Sequence, residues 1–129
     1  MYQAVGDTQL HDPSVKTILV ADEDPIIAFL ILHIFTRRDR RVVVAADARE
    51  LEERLEEAEY DAILVDVRLL EDAGEWVKAL VRLRPHLASR LVLMSSREPG
   101  PALPVRATLR KPLELDELVT VVDSAIAAG

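Results

Sequence analysis

Four groups of polar residues each follow a short strand candidate, and three of these strand candidates are apolar throughout. The four groups are Asp22-Glu23-Asp24, Asp66, Ser95-Ser96 and Lys111-Pro112, after the runs at 18–21, 62–65, 91–94 and 107–110. In an open α/β fold the carboxyl ends of parallel strands meet at one edge of the sheet, and ligands bind there. The sequence therefore predicts one site that combines carboxylates, a hydroxyl and an ammonium group. Such a set is suited to a divalent cation and a phosphoryl group.

The carboxylates predict a metal site beside a nucleophile. Asp22, Glu23 and Asp66 would repel one another, and a hard cation such as Mg²⁺ relieves that repulsion while it keeps one or two carboxylates and several waters. An ionised Asp66 can attack phosphorus and form an aspartyl phosphate. Lys111 is placed to neutralise charge on the transferring group, and Ser95 can donate a hydrogen bond to one of its oxygens.

The pattern between these groups alternates strand and helix. We predict strands at 17–21, 41–45, 62–65, 90–94 and 107–109, with helices that begin at Pro25 after an Asp24 N-cap, after an Asp47 N-cap, after Gly74 and near Glu114. Strands that are apolar throughout indicate a parallel sheet covered on both faces. The expected fold is a five-stranded, doubly wound, flavodoxin-like α/β domain with strand order 2-1-3-4-5, and its site lies between strands 1 and 3.

Two segments predict interaction surfaces. The crossover at 95–106 contains three prolines and one glycine, so we expect the fourth helix to be absent or reduced to one turn, which would leave part of the domain less covered. The apolar run at 26–35 predicts a first helix that is buried on most of its surface. Both features are compatible with a homodimer.

Composition narrows the function classes. The chain has 129 residues, half of them apolar, and a net charge of -7, which argues against nucleic-acid binding. It has no cysteine, no signal-peptide pattern and no run long enough to cross a bilayer, so we expect a cytoplasmic protein that contacts no membrane. Residues 1–14 are expected to form an N-terminal arm and residues 15–129 a single domain.

Together the four groups resemble the receiver domain of bacterial response regulators, over about residues 16 to 128. The resemblance implies that Asp66 is the phosphoacceptor and that Ser95 and Lys111 are the family's conserved hydroxyl and lysine. It also implies that Asp22, Glu23, Asp66 and the backbone carbonyl of Arg68 bind Mg²⁺. A cis Lys111–Pro112 bond is typical of the family. The phosphoryl donor would be a histidine kinase or a histidine phosphotransfer protein.

The chain departs from the family at Leu70, where a proline is usual, and at Thr108, where an aromatic residue is usual. We expect a stand-alone, CheY-like receiver in a two-component phosphorelay, a signalling domain rather than an enzyme, with output by protein contact. Two alternatives stay open. One is an adaptor that works without phosphorylation. The other is a haloacid-dehalogenase-type phosphatase with Asp22 as nucleophile, because the acids at 22–24 fit a D-x-D pattern at the end of a first strand.

Overall fold

The central element is a five-stranded parallel sheet. A computed structural model describes residues 14–96 and 105–128, apart from the side chains of residues 72–74. The strand order is β2-β1-β3-β4-β5, as the sequence predicts. The strands are β1 (Thr17–Ala21), β2 (Arg41–Ala45), β3 (Ala62–Asp66), β4 (Leu91–Ser95) and β5 (Ala107–Arg110). Each lies within one residue of its predicted bounds.

Helices connect the strands and cover the sheet. In the described part of the chain they are α1 (Pro25–Thr36), α2 (Ala48–Glu57), α3 (Val67–Leu83) and α4 (Leu115–Ala128), with a 3-10 turn at Pro85–Ser89. The predicted N-caps are confirmed, because the Asp24 carboxylate accepts the N–H of Ile26 and the Asp47 carboxylate accepts that of Glu50. Pro25 occupies the first helical position, where its missing N–H removes no bond.

Alternating side chains divide the core between the two faces of the sheet. Leu19 and Ile63 point to the face that α2 and α3 cover, and Ile18 and Leu64 point to the opposite face, where α1 and α4 pack. All four side chains are at most 1% exposed. A sheet that is buried on both faces explains why its strands are apolar at nearly every position.

The prediction that the third helix follows Gly74 is wrong. Helix α3 begins at Val67, directly after β3, and runs through position 74 to Leu83. Its start is set by Asp66, whose carboxylate accepts the N–H of Arg68 as an N-cap. A glycine inside a helix costs only about 1 kcal/mol relative to alanine, and packing of the helix on the sheet outweighs that. Pro85 follows the end of the helix, as predicted.

The prediction that the first helix is buried on most of its surface is also wrong. In α1 the side chains of Ala28, Ile31 and Phe35 are buried. Ile26, Phe29 and Leu30 are 75%, 66% and 44% exposed. A helix that lies on a sheet presents only one stripe to it, so the remaining apolar residues of α1 face outward.

Two expectations fall mainly on other parts of the chain. The structure describes only the last residue of the N-terminal arm, residues 1–14. Of the segment 95–106, where a shortened fourth helix is predicted, residues 97–104 lie outside the described residues. Among the residues that are described, no helix is both long and apolar enough to span a bilayer.

Candidate functional site

The strand register brings the chemically active residues to one edge of the sheet. Ala21 of β1 lies beside Val65 of β3, so the residues that follow, Asp22 and Asp66, are neighbours. Asp66 itself lies beside Met94 of β4. Ser95 lies next to Arg110 of β5, and Lys111 follows directly.

Lys111 joins the two aspartates. Its Nζ donates to Asp22 Oδ2 at 2.8 Å and to Asp66 Oδ2 at 2.7 Å. The side chains of Asp22, Asp66 and Lys111 are 0%, 4% and 14% exposed. Ion pairs this deeply buried are uncommon and are expensive to break by removal of one partner. The structure thus gathers three of the predicted site residues around one nitrogen atom.

The loop after β1 fixes the orientation of Asp22. Its Oδ1 accepts the backbone N–H of Asp24 at 2.8 Å, which leaves Oδ2 directed at Lys111. Glu23, between them, is exposed. As an exposed neighbour of the buried Asp22, Glu23 lies at the rim of the site. Within residues 14–96 and 105–128 no three acidic or histidine side chains form a group that could hold a metal ion, so Glu23 is not gathered with Asp22 and Asp66.

Ser95 contacts Lys111 through the backbone. The residue is 3% exposed, at the end of β4. Its backbone carbonyl accepts the N–H of Lys111 at 2.8 Å, which fixes the start of the lysine side chain over the sheet edge. The Lys111–Pro112 bond is cis, as the resemblance implies.

Arg68 contributes its side chain, a role that the sequence analysis missed. Its Nη2 is 3.2 Å from Asp66 Oδ2, and its Nε is 3.5 Å from Asp66 Oδ1. The backbone N–H also donates to Oδ1, at 2.8 Å. These contacts bring three donors of Arg68 to the Asp66 carboxylate, and the role of its carbonyl as a metal ligand stays a prediction. An arginine two residues after an aspartate, at the start of a helix, is the sequence pattern that would have indicated this side-chain role.

The site holds Asp66 in its ionised form. Burial alone would raise the pKa of this carboxyl group. Hydrogen bonds from Lys111 and from the backbone and side chain of Arg68 act in the opposite direction, and the pKa is lowered overall. For Lys111, burial acts to lower the pKa, but hydrogen bonds to Asp22 and Asp66 raise it overall. Both groups are therefore charged at neutral pH.

The donor set fits a magnesium ion. Asp22 and Asp66 each direct one oxygen to the Lys111 ammonium, so the two carboxylates lie side by side at the sheet edge. Mg²⁺ is commonly bound by one or two carboxylates, with water and phosphate oxygens completing its shell. Two buried carboxylates with a third at the rim satisfy that requirement.

Comparison with known proteins agrees with this geometry. The model of the family described as response regulator receiver domain matches residues 18–123. The chain belongs to this family. Receiver domains are signalling modules of two-component systems, and phosphorylation on aspartate and Mg²⁺ binding are typical of them.

The relatives differ in how much of their length the chain covers. The DNA-binding transcriptional regulator NtrC of Azospirillum brasilense is 30% identical over 121 residues, which are 88% of this chain and 24% of NtrC. The chain thus spans about a quarter of that curated relative.

Solved receiver structures show the same fold. The chemotaxis response regulator CheY4 of Vibrio cholerae has a TM-score of 0.73 at 24% identity, over 86% of this chain and 98% of that one. TrrA of Thermotoga maritima, solved in complex with Mg²⁺-BeF, has a TM-score of 0.71 at 20% identity, over 86% and 99%.

Proposed function

We propose that this receiver accepts a phosphoryl group on Asp66 from a histidine kinase or a histidine phosphotransfer protein, with Mg²⁺ as cofactor. The observation that carries the proposal is the bridge from Lys111 Nζ to Asp22 and Asp66, at 2.8 Å and 2.7 Å. A buried ion cluster of this kind stabilises the fold poorly compared with apolar packing, so its presence at a ligand-binding edge favours a chemical role.

The ionised Asp66 supplies the nucleophile. One of its oxygens forms a bond to phosphorus while the bond from phosphorus to the donor's imidazole nitrogen breaks, and the electron pair of that bond stays on the imidazole. The carboxylate needs no general base, because the pKa of Asp66 is already lowered by Lys111 and Arg68 despite its burial.

Other side chains stabilise charge on the transferring group. Asp22 and Asp66 would hold Mg²⁺, with Glu23 at the rim and the backbone carbonyl of Arg68 as a further ligand. The ion would neutralise the phosphoryl oxygens. The Lys111 ammonium is already within hydrogen-bonding distance of Asp66 and provides a second positive charge. We assign the hydroxyl of Ser95, at the end of the adjacent strand, as a hydrogen-bond donor to a phosphoryl oxygen.

The outward face of α1 supports a helical partner. Ile26, Phe29 and Leu30 are exposed, and the ring of His33 stacks on Phe29 with centroids 6.2 Å apart. This stripe has the i, i+3, i+4, i+7 spacing that packs against another helix. It begins two residues after Asp24, beside the site, so a helix bundle that carries a phosphohistidine fits both the surface and the chemistry.

Phosphorylation is tested with a small phosphodonor and MgCl₂, followed by intact-mass measurement. Wild-type protein is expected to gain one phosphoryl group, and Asp66→Asn none. Asp47→Asn is a matched control, because Asp47 also caps a helix after a strand but is exposed. A gain that persists in Asp66→Asn would refute the proposal, as would no gain in wild type. A gain that Asp22→Asn alone abolishes, with turnover of a phosphate ester, would favour the phosphatase alternative.

The partner surface is tested by phosphotransfer from the purified histidine kinases of the source organism. Phe29→Ala is expected to slow transfer from the kinase and to leave phosphorylation by the small donor unchanged. Equal rates of phosphotransfer from the kinase to wild type and to Phe29→Ala would exclude this face of α1 as the kinase-binding surface. Sedimentation of wild type and Phe29→Ala shows whether this face instead joins two copies of the chain in a homodimer. Binding of a partner that Asp66→Ala leaves unaffected would favour the adaptor alternative.

The remaining parts of the proposal are a stand-alone form, output by protein contact and a cytoplasmic location. An antibody against this chain, applied to fractionated cells of the source organism, tests the stand-alone form and the cytoplasmic location. A species longer than 129 residues would exclude the stand-alone form.

A further inference from the structure

The carboxylate of Asp66 is surrounded by donors from the protein itself. Oδ1 accepts the N–H of Arg68 at 2.8 Å and lies 3.5 Å from its Nε. Oδ2 accepts Lys111 Nζ at 2.7 Å and Arg68 Nη2 at 3.2 Å. An ionised carboxylate offers about four lone-pair positions, so a metal ion and a phosphoryl group can reach Asp66 only if a donor leaves.

Of the two cationic side chains, Arg68 is the one that can leave at low cost. The Lys111 side chain is 14% exposed and also holds Asp22, so its removal would strand a second buried carboxylate. The Arg68 side chain is 50% exposed, so water can replace Asp66 as its partner. The backbone N–H of Arg68 is fixed by α3, but the guanidinium can swing outward.

The guanidinium is held by the same acids that the proposed metal ion needs. Its Nη2 lies 3.2 Å from Asp66 Oδ2, and the negative charges of Glu23 and Asp22 also attract it. Three carboxylates and two cationic side chains carry a net charge of minus one. They are Asp22, Glu23 and Asp66, with Lys111 and Arg68. Without Arg68 the net charge would be minus two, which a divalent cation neutralises. The guanidinium and the metal ion therefore compete for the same carboxylates.

We propose that Arg68 is a built-in competitor of the divalent cation, which must displace its guanidinium from Asp66 in order to bind. This inference rests on the proposed function, since it concerns the metal site of the phosphoacceptor. Its consequence is a receiver that responds to Mg²⁺ at higher concentration than its carboxylates alone would set. The guanidinium of Arg68 thus tunes metal affinity without being a ligand itself.

The test is calorimetric titration of MgCl₂ into wild type, Arg68→Met, Arg68→Lys and Arg84→Met. Arg68→Met is expected to bind Mg²⁺ about two- to fivefold more tightly than wild type, the range expected for loss of a solvent-accessible ion pair. Arg68→Lys keeps the charge but loses the planar fork, so its affinity is expected to lie between the two.

Arg84→Met is the matched control. Arg84 also pairs with an acid, Glu59, at 3.3 Å, but it follows the other end of α3, roughly 24 Å from Arg68 at the rise of a helix. This distance exceeds the screening length of about 8 Å at physiological salt. Its Mg²⁺ affinity is expected to equal that of wild type, which separates a local effect from a change in net charge.

If wild type bound Mg²⁺ and Arg68→Met bound it equally or more weakly, the inference would be overturned. The proposed metal site would still be supported. If neither wild type nor Arg68→Met bound Mg²⁺, both the inference and the metal part of the proposed function would fall. Backbone amide spectra of each variant check that it is folded. They also report, independently of phosphorylation, whether Mg²⁺ shifts the resonances of Asp22 and Asp66.

Discussion

Replacement of Lys111 by methionine tests the electrostatic design of the site. The ammonium bridges two carboxylates whose side chains are 0% and 4% exposed. Methionine has a similar length and keeps the apolar part of the side chain, but it leaves Asp22 and Asp66 facing each other without the shared cation. Arg68 still contacts Asp66, and the N–H of Asp24 still contacts Asp22.

The cost follows from the burial of the two acids. Loss of one partner from a buried ion pair typically costs about 3–5 kcal/mol. Because Arg68 continues to neutralise Asp66, we expect a loss near the lower limit, about 3 kcal/mol. That is a large part of the 5–15 kcal/mol by which a domain is typically stable, so the variant should unfold at much lower denaturant concentration.

The loss depends on pH with a definite sign. In the wild type the pKa of Asp66 is lowered from 3.8, so the stability that its ionised form contributes is present above pH 3.8 and is lost as the pH falls through the folded-state pKa. Without Lys111 the burial remains and a main pKa-lowering contact is gone, so the pKa of Asp66 rises. Protonation then relieves the repulsion, and the gap between variant and wild type narrows as the pH falls from neutral toward 3.8.

Urea denaturation in EDTA, at neutral and acidic pH, measures this gap. Lys78→Met is the control, because Lys78 pairs with Glu75 at 3.5 Å on the exposed surface of α3 and should cost at most about 1 kcal/mol. Added Mg²⁺ should restore part of the stability of Lys111→Met. A loss as small as that of the control, or one that grows as the pH falls, would refute the reasoning.

Three further predictions concern the scaffold. Asp47→Ala removes the acceptor of the Glu50 N–H at 2.9 Å and should cost about 1 kcal/mol in urea denaturation, whereas Asp47→Asn should cost little. Phe35→Ala in the buried core, at 0% exposure, should cost about 3–5 kcal/mol, and Phe29→Ala, at 66%, at most about 0.5 kcal/mol; comparable losses would contradict the assigned faces of α1. Burial raises the pKa of Tyr60 above 10.0, so the stability of its neutral form is present below pH 10.0 and is lost as the pH rises through the folded-state pKa. Tyr60→Phe should therefore lose less stability above pH 10.0 in an alkaline denaturation series.

The strands and the edge that carries the site could be predicted from the sequence. A sheet buried on both faces requires apolar runs, and the polar residue that ends each run must then lie at the carboxyl edge. That logic placed Asp22, Asp66 and Lys111 together, and the structure joins them through one nitrogen atom. The N-caps of α1 and α2 were equally predictable, because each aspartate precedes a helix after a clear break.

The start of α3 could not be predicted because Asp66 has two structural roles. It ends β3 and also caps the helix that follows, without an intervening loop. A pattern that assigns Asp66 to a strand and treats Gly74 as a helix breaker places the helix too late. The side-chain role of Arg68 depends on that same start, since only the first helical turn folds its guanidinium back on Asp66. The exposure of α1 was missed because apolar residues on every side do not show which side faces the sheet.

The double role of Asp66 links its chemistry to the fold. The oxygen that accepts the Arg68 N–H belongs to the carboxylate that is proposed to bind metal and phosphorus, so a change of charge at Asp66 alters the N-terminus of α3 directly. No distant relay is needed for that coupling. Thr108, in place of the family's usual aromatic residue, is exposed on β5 and is too small to act as a bulky rotating side chain. The first turn of α3 is therefore one of two places, with Lys111 after β5, where contacts to Asp66 must change when its charge changes.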